Sequence, residues 1–307
     1  MAQGRAQAAK DPGAPREPRR PPSGPAAAMA SNAPSNEPPS NAPASGGEAT
    51  SDRMKRLEDV LAAFEISVAE ANDLVALEDY EMVMIVDDSG SMSLPSVPQA
   101  QRKLGEPTPT RWDEAKQAIS LLVEIGCCFD KSGIDVFFLN RQSVKGAKGA
   151  KDDALTSITQ APPRGTTPLT QRLQDVAKEC GGERPVLLFI LTDGEPNGGA
   201  GPFVAELKKL INKESTSYNF KVQIMACTSD EEEMAWLNRL DRELKAVDVT
   251  DDYYTERTEV LKAGLALKFN RADWVMKAML GPVNHTFDAW DEKLKGSKAE
   301  CNLCRIL

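Results

Sequence analysis

The chain has 307 residues, 41% of them hydrophobic and 27% charged, with a formal net charge of −9. That length allows one or two domains. The negative charge argues against nucleic acid as the main partner, because phosphate binding needs a clustered positive field. No stretch approaches the roughly 18 apolar residues of a membrane span, and no N-terminal segment has the form of a signal peptide. Six cysteines, two of them adjacent at Cys127 and Cys128, are too sparse for a disulfide scaffold and indicate a reducing, cytoplasmic compartment.

Residues 1–50 hold 10 of the 21 prolines and 13 alanines but no Val, Ile, Leu, Phe, Trp or Tyr. Such a segment cannot bury enough apolar surface to offset the entropy of ordering it, so it reads as a flexible Pro/Ala/Ser-rich tail. From Leu57 the apolar positions Val60, Leu61, Phe64, Val68, Ala71 and Val75 follow at helical spacing, which predicts one packing helix within 51–79. The run Met82 to Val86 is apolar throughout, as a strand covered on both faces should be. A Pro-rich loop at 94–109 leads to Thr110, which forms a capping-box pattern with Asp113 and opens a helix to about Phe129.

Ile134 to Leu139 reads as the second strand, and the polar, basic stretch 141–153 as a loop. A short helix follows at 153–158, and Pro168 opens another to about Glu179. Val186 to Leu191 is a third strand, Phe203 to Ile211 a helix and Lys221 to Cys227 a strand. Ser229 with Glu232 forms a second capping-box pattern before a helix to Leu244, and Val247 and Val249 mark a short last strand. Helical patterns return at 255–267 and 271–294. Strands alternating with helices predict an α/β domain whose central sheet is mostly parallel and flanked by helices. Ligands in such sheets bind at the carboxyl ends of the strands.

Three polar loops fall at that edge. They are Asp87-Asp88-Ser89-Gly90-Ser91-Met92 after the first strand, Gly165-Thr166-Thr167-Pro168 before a helix, and Thr192-Asp193-Gly194-Glu195-Pro196 after the third strand. Two carboxylates and three hydroxyls there suit a hard divalent cation such as Mg²⁺, which prefers oxygen ligands. No His or Cys lies in these loops, so zinc is not expected.

Asp87-x-Ser89-x-Ser91 after an apolar strand, the Gly-Thr-Thr-Pro loop and Leu-Thr-Asp193-Gly together resemble the von Willebrand factor A (VWA) domain and its metal-ion-dependent adhesion site. The wider text, Ile-Val-Asp-Asp-Ser-Gly-Ser-Met, Arg-Trp-Asp-Glu-Ala, Gly-Ile-Asp-Val-Phe-Phe-Leu-Asn and Leu-Thr-Asp-Gly-Glu-Pro, is similar to an intracellular eukaryotic branch of that family. The resemblance covers about residues 80–265. It implies a doubly wound, Rossmann-like sheet, with extra helices before and after it here. It also implies that Ser89, Ser91 and Thr167 supply hydroxyl ligands to Mg²⁺ or Mn²⁺, while Asp87 and Asp193 bind the ion directly or through water. Thr167 is preferred to Thr166 because it directly precedes the proline of the family motif. If neutral hydroxyls dominate its ligands, the cation stays electrophilic and attracts a carboxylate from a partner protein. Asp88 and Glu195 are expected to be solvated loop acids. The chain departs from the family in its basic stretch at 141–153, where a strand is often found, and in its helices from 271 onward.

His285, the single histidine, lies far from these motifs, and no Gly-x-Ser-x-Gly elbow, Walker loop or dinucleotide fingerprint appears. Cys180, Cys227 and the tryptophans read as packing residues. The last four residues, Cys304-Arg305-Ile306-Leu307, have the form of a prenylation box, with Cys301 as a site for a second acyl chain and hence peripheral membrane association through lipid. The division expected is a tail at 1–50, a packing helix at 51–79, a VWA domain at 80–267, a helical extension at 268–295 and a flexible tail at 296–307. The function expected is magnesium-dependent protein binding rather than catalysis. The alternatives are a scaffold subunit with a vestigial metal site and a magnesium-dependent hydrolase using Asp87 or Asp193.

Overall fold

In a computed structural model that describes residues 46–97, 105, 107–230, 235–264 and 266–288, the apolar run after Tyr80 is strand β1, Glu81–Val86. The other strands are β2 (Ile134–Phe138), β3 (Val144–Ala147), β4 (Val186–Thr192), β5 (Phe220–Ala226) and β6 (Val247–Thr250). Among the described residues they form one sheet in the order β3-β2-β1-β4-β5-β6. All neighbours are parallel except β2 and β3. The chain is therefore α/β with a six-stranded, mostly parallel sheet between helices.

The helices are α1 (Gly46–Ala63), α2 (Val68–Leu74), α3 (Arg111–Phe129), α4 (Asp153–Gln160), α5 (Leu169–Glu179), α6 (Ala200–Ile211), α7 (Leu237–Glu243), α8 (Tyr253–Ala263), α9 (Arg271–Leu280) and α10 (His285–Asp288). The period-two alternation of a strand divides the core between the two faces of the sheet. Met82, Met84, Val86, Phe189 and Leu191 pack with α1, α3 and α9 on one face. Val83, Ile85, Leu188, Ile190 and Ile224 pack with α5, α6 and α7 on the other. Because both faces are covered, every residue of β4 is buried, which is why the strand reads as unbroken apolar text. None of the described helices is long and apolar enough to cross a membrane.

Several expectations need correction. The helix expected within 51–79 is interrupted. α1 already begins at Gly46, inside the segment read as tail, and ends at Ala63. Glu65 then takes a left-handed conformation (φ 57°). Ser67 starts α2 through a capping box with Glu70, and a 3₁₀ turn, Val75–Asp79, completes the segment. The helical spacing continued across this break, but Val68 is 78% exposed, so that part of the stripe faces out.

The stretch 141–153 is not all loop, since β3 pairs antiparallel with β2 through Val136 and Val144. Its lysines suit an exposed edge, where charge discourages pairing with other chains. Lys145 Nζ lies 3.1 Å from Asp135 and 3.3 Å from Glu179. Of the pattern expected at 271–294, the described residues form two helices, divided at Gly281-Pro282. A Cβ on Gly281 would lie 2.2 Å from Asp248 Oδ2, so a side chain cannot be accommodated there. Glu232 and its capping box, residues 1–45, Trp290, Cys301 and Cys304 lie outside the described residues.

Candidate metal site at the sheet edge

The chain moves from β1 outward through β2 to β3, then returns to place β4 on the other side of β1. The carboxyl ends of β1 and β4 therefore lie at a topological switch point, the place where sheets of this kind bind ligands. Asp87 extends β1 by one rung, its N–H donating to Leu191 O at 2.8 Å. Asp193 follows β4 directly.

Asp87 is fully buried. Its Oδ1 accepts from the Ser89 N–H at 2.9 Å and its Oδ2 from the Thr192 hydroxyl at 3.1 Å. A 3₁₀ turn, Gly90–Ser93, then brings Ser91 back toward the strand ends. The Ser89 and Ser91 hydroxyls lie 3.0 Å apart, and Ser91 Oγ donates to Asp193 Oδ1 at 3.1 Å. Four of the five expected ligands, Asp87, Ser89, Ser91 and Asp193, thus form one connected polar group. Burial first, and then the charge of Asp193, pushes the Asp87 carboxyl up to about 6, against the pull of its hydrogen bonds from Ser89 and Thr192. The same two carboxylates add to burial in raising the thiol of Cys227 well above its ordinary range. Cys227 sits one rung away, its N–H on Thr192 O, and is a neutral packing residue.

The fifth residue, Thr167, is adjacent by its backbone. Its loop docks on the first through Gly90 N–H to Gly165 O and Arg164 N–H to Asp88 O. Asn197 grips it from the β4 side, donating its N–H to Thr167 O at 2.9 Å and accepting from the Thr167 N–H at 3.2 Å. The hydroxyl of Thr167 is not part of the hydrogen-bonded group formed by the other four.

Asp88 is not a solvated acid as expected. It is fully buried, and its Oδ1 accepts from both the N–H and the Nδ2 of Asn140 at 2.8 and 3.2 Å. Arg141 Nε lies 2.9 Å from Asp88 Oδ2, an ion pair without hydrogen-bond alignment. Asn140 also donates to Thr166 O and accepts from Thr166 N–H. Arg141 donates to Ile158 O, Ala161 O and Pro162 O, and its guanidinium lies 5.1 Å above the Trp112 ring. These two residues fasten the Thr167 loop to the Asp87 loop. Gly165 is required at this fastening, since its φ is 106° and a Cβ would lie 2.4 Å from Asn140 Oδ1. Glu195 is exposed as expected, and His285 is exposed on α10.

Sequence reasoning also missed Arg111. Its Nη1 donates to Asp193 Oδ2 at 3.0 Å, with both side chains buried. Asn140 and Arg141 had a readable signal, because β2 ends at the same sheet edge as β1 and β4. Arg111 had none beyond lying in Arg-Trp-Asp-Glu-Ala. Among the described residues no group of three or more His, Cys, Asp or Glu side chains is arranged to hold a metal ion. The donor set is instead two carboxylates with hydroxyls, which fits a small hard cation.

No family model matches the chain, and no curated protein matches it. Among solved structures, the D319A mutant of the PilB minor pilin from Streptococcus sanguinis is similar over 68% of this chain, at 12% identity and a TM-score of 0.42, and the chain spans 62% of the length of that structure.

Proposed function

We propose that Asp87, Ser89, Ser91, Thr167 and Asp193 bind Mg²⁺ or Mn²⁺ and present it to a carboxylate of a partner protein, as the resemblance to VWA domains implies. The observation that carries this reading is the connected group of Asp87, Ser89, Ser91 and Asp193 at the carboxyl ends of β1 and β4. Asp87, a buried carboxylate whose ionisation burial and the charge of Asp193 disfavour, is relieved by a divalent cation. When bound, the cation would supply an open position for an anionic oxygen. The chain's own residues fix the ligands, through the Asn140 and Arg141 fastening on one side and Asn197 on the other.

The test is a calorimetric titration of the whole chain with MgCl₂, beside Asp87→Ala, followed by affinity capture of partners with Mg²⁺ and with chelator. Saturable uptake by the wild type alone, and partners retained only with Mg²⁺, are expected. Equal uptake by both proteins overturns the assignment.

A scaffold that binds partners without metal is the second reading. It is favoured by the Arg111–Asp193 ion pair, which already neutralises one carboxylate. Capture that survives chelation would establish it. A magnesium-dependent hydrolase would draw on Asp87 or Asp193 as base, the same residues the cation would engage.

A further inference from the structure

We propose that Arg111 is the resident counter-ion of the site, which a divalent cation must displace from Asp193 in order to bind. The inference rests on the metal-binding reading above.

Arg111 is the first residue of α3, and its N–H donates to Leu94 O at 2.9 Å. The start of the helix is thereby tied to the loop that carries Ser91. A cation at a helix N-terminus opposes the helix dipole, and a buried guanidinium has in addition lost its hydration. Both local preferences are broken at Arg111, whose side chain is 8% exposed. Asp193 supplies the compensation, accepting from Nη1 at 3.0 Å. Residues that break local rules gather where function requires them.

The two oxygens of Asp193 face different partners. Oδ1 takes the hydroxyl of Ser91, a proposed metal ligand, and Oδ2 takes Arg111. Asp87, Asp193 and Arg111 between them carry two negative charges and one positive. A divalent ion placed among them faces both repulsion from Arg111 and competition for Asp193. The donor set therefore binds Mg²⁺ more weakly than its carboxylates alone would, and loading is coupled to movement of the Arg111 side chain. Once displaced, the guanidinium offers a planar fork suited to a second oxygen of an incoming carboxylate.

The experiment titrates MgCl₂ into full-length wild type and Arg111→Gln by calorimetry. In parallel it follows the side-chain Nε–Hε resonance of Arg111 in ¹⁵N-labelled wild type, assigned by its loss in Arg111→Lys. Arg111→Gln is expected to bind Mg²⁺ about tenfold or more tightly than wild type, the scale of removing one competing charge-assisted hydrogen bond. The wild-type resonance is expected to move in step with the binding isotherm. Equal or weaker binding by Arg111→Gln overturns the proposal. If that variant does not fold, the wild-type resonance decides, and a signal unmoved at saturation overturns it. Uptake by neither protein refutes the metal-binding reading and the proposal with it. Uptake by Arg111→Gln alone supports both.

Discussion

Asp87 carries a charge that the fold disfavours. In the unfolded chain its carboxyl titrates near its ordinary value of 3.8, and in the folded protein near 6. Folding therefore favours the protonated form. Its contribution to stability is full below about 3.8 and is lost as the pH rises through about 6, a difference of about 3 kcal/mol. Denaturant unfolding in chelator between pH 4 and 7.5 should show wild type losing stability over that interval relative to Asp87→Asn, which lacks the titration. Magnesium should bind the ionised form, so its affinity should fall about tenfold for each pH unit below about 6. Burial raises the carboxyl of Asp88, the next residue, as well, against the pull of Asn140 and Arg141. Arg141 ties its buried carboxylate to three carbonyls of the 158–162 segment. Arg141→Ala should cost about 3–5 kcal/mol, because it leaves a buried charge without its cation. Arg141→Ala combined with Asp88→Asn should recover much of that loss. Equal stability of the single and double variants would show that the two side chains are not coupled.

Secondary elements were legible where one physical signal dominated. β1 and β4 carry the unbroken apolar runs Met82–Val86 and Val186–Leu191 because helices cover both their faces. α3 follows its Thr110–Asp113 cap, where Lys116 and the Thr110 N–H hold the Asp113 carboxyl down to about 2. Elements were misread where two signals conflicted. The helical spacing from Leu57 to Val75 outweighed the Ser67–Glu70 cap that divides it, and the basic stretch around β3 concealed a four-residue edge strand. The end of the described chain rests on a feature no pattern announces. Lys277 of α9 is fully buried, with Nζ 3.3 Å from Glu256 of α8, 3.6 Å from Asp248 of β6 and 3.2 Å from Val249 O. One lysine thus joins both helices to the last strand. Lys277→Met should destabilise the protein by about 3–5 kcal/mol, since it removes the buried cation that faces two buried carboxylates. Hydrogen exchange should accelerate first in α8 and α9, and uniform acceleration across the sheet would show that the lysine is not a local fastening.

Topology explains why so much of the site could be read from the sequence and where the reading stopped. A parallel sheet brings the ends of β1 and β4 together whatever their separation in the chain, so polar residues just after apolar runs are the ones to inspect. That rule singled out Asp87, Ser89, Ser91 and Asp193, which the fold joins by hydrogen bonds. It could not find Arg111, which reaches the site from the start of a helix, and it does not place the hydroxyl of Thr167. The same topology means that the proposed ligands come from loops attached to β1, α5 and β4, which are joined by hydrogen bonds such as Gly90 to Gly165 and Asn197 to Thr167. A cation held by all three would act as a cross-link present only in the folded state. At a free Mg²⁺ concentration 100-fold above its dissociation constant, it should add about 2.7 kcal/mol to stability. For a two-state unit of this size that corresponds to a rise in melting temperature of about 5–11 °C. Hydrogen exchange should slow together at 87–93, 164–168 and 193–197, because the three loops would be joined by one ion. Asp87→Ala should show neither change. Protection confined to 87–93 would mean that the ion binds the Asp-x-Ser-x-Ser loop alone, and the role assigned to Thr167 and Asp193 would have to be abandoned.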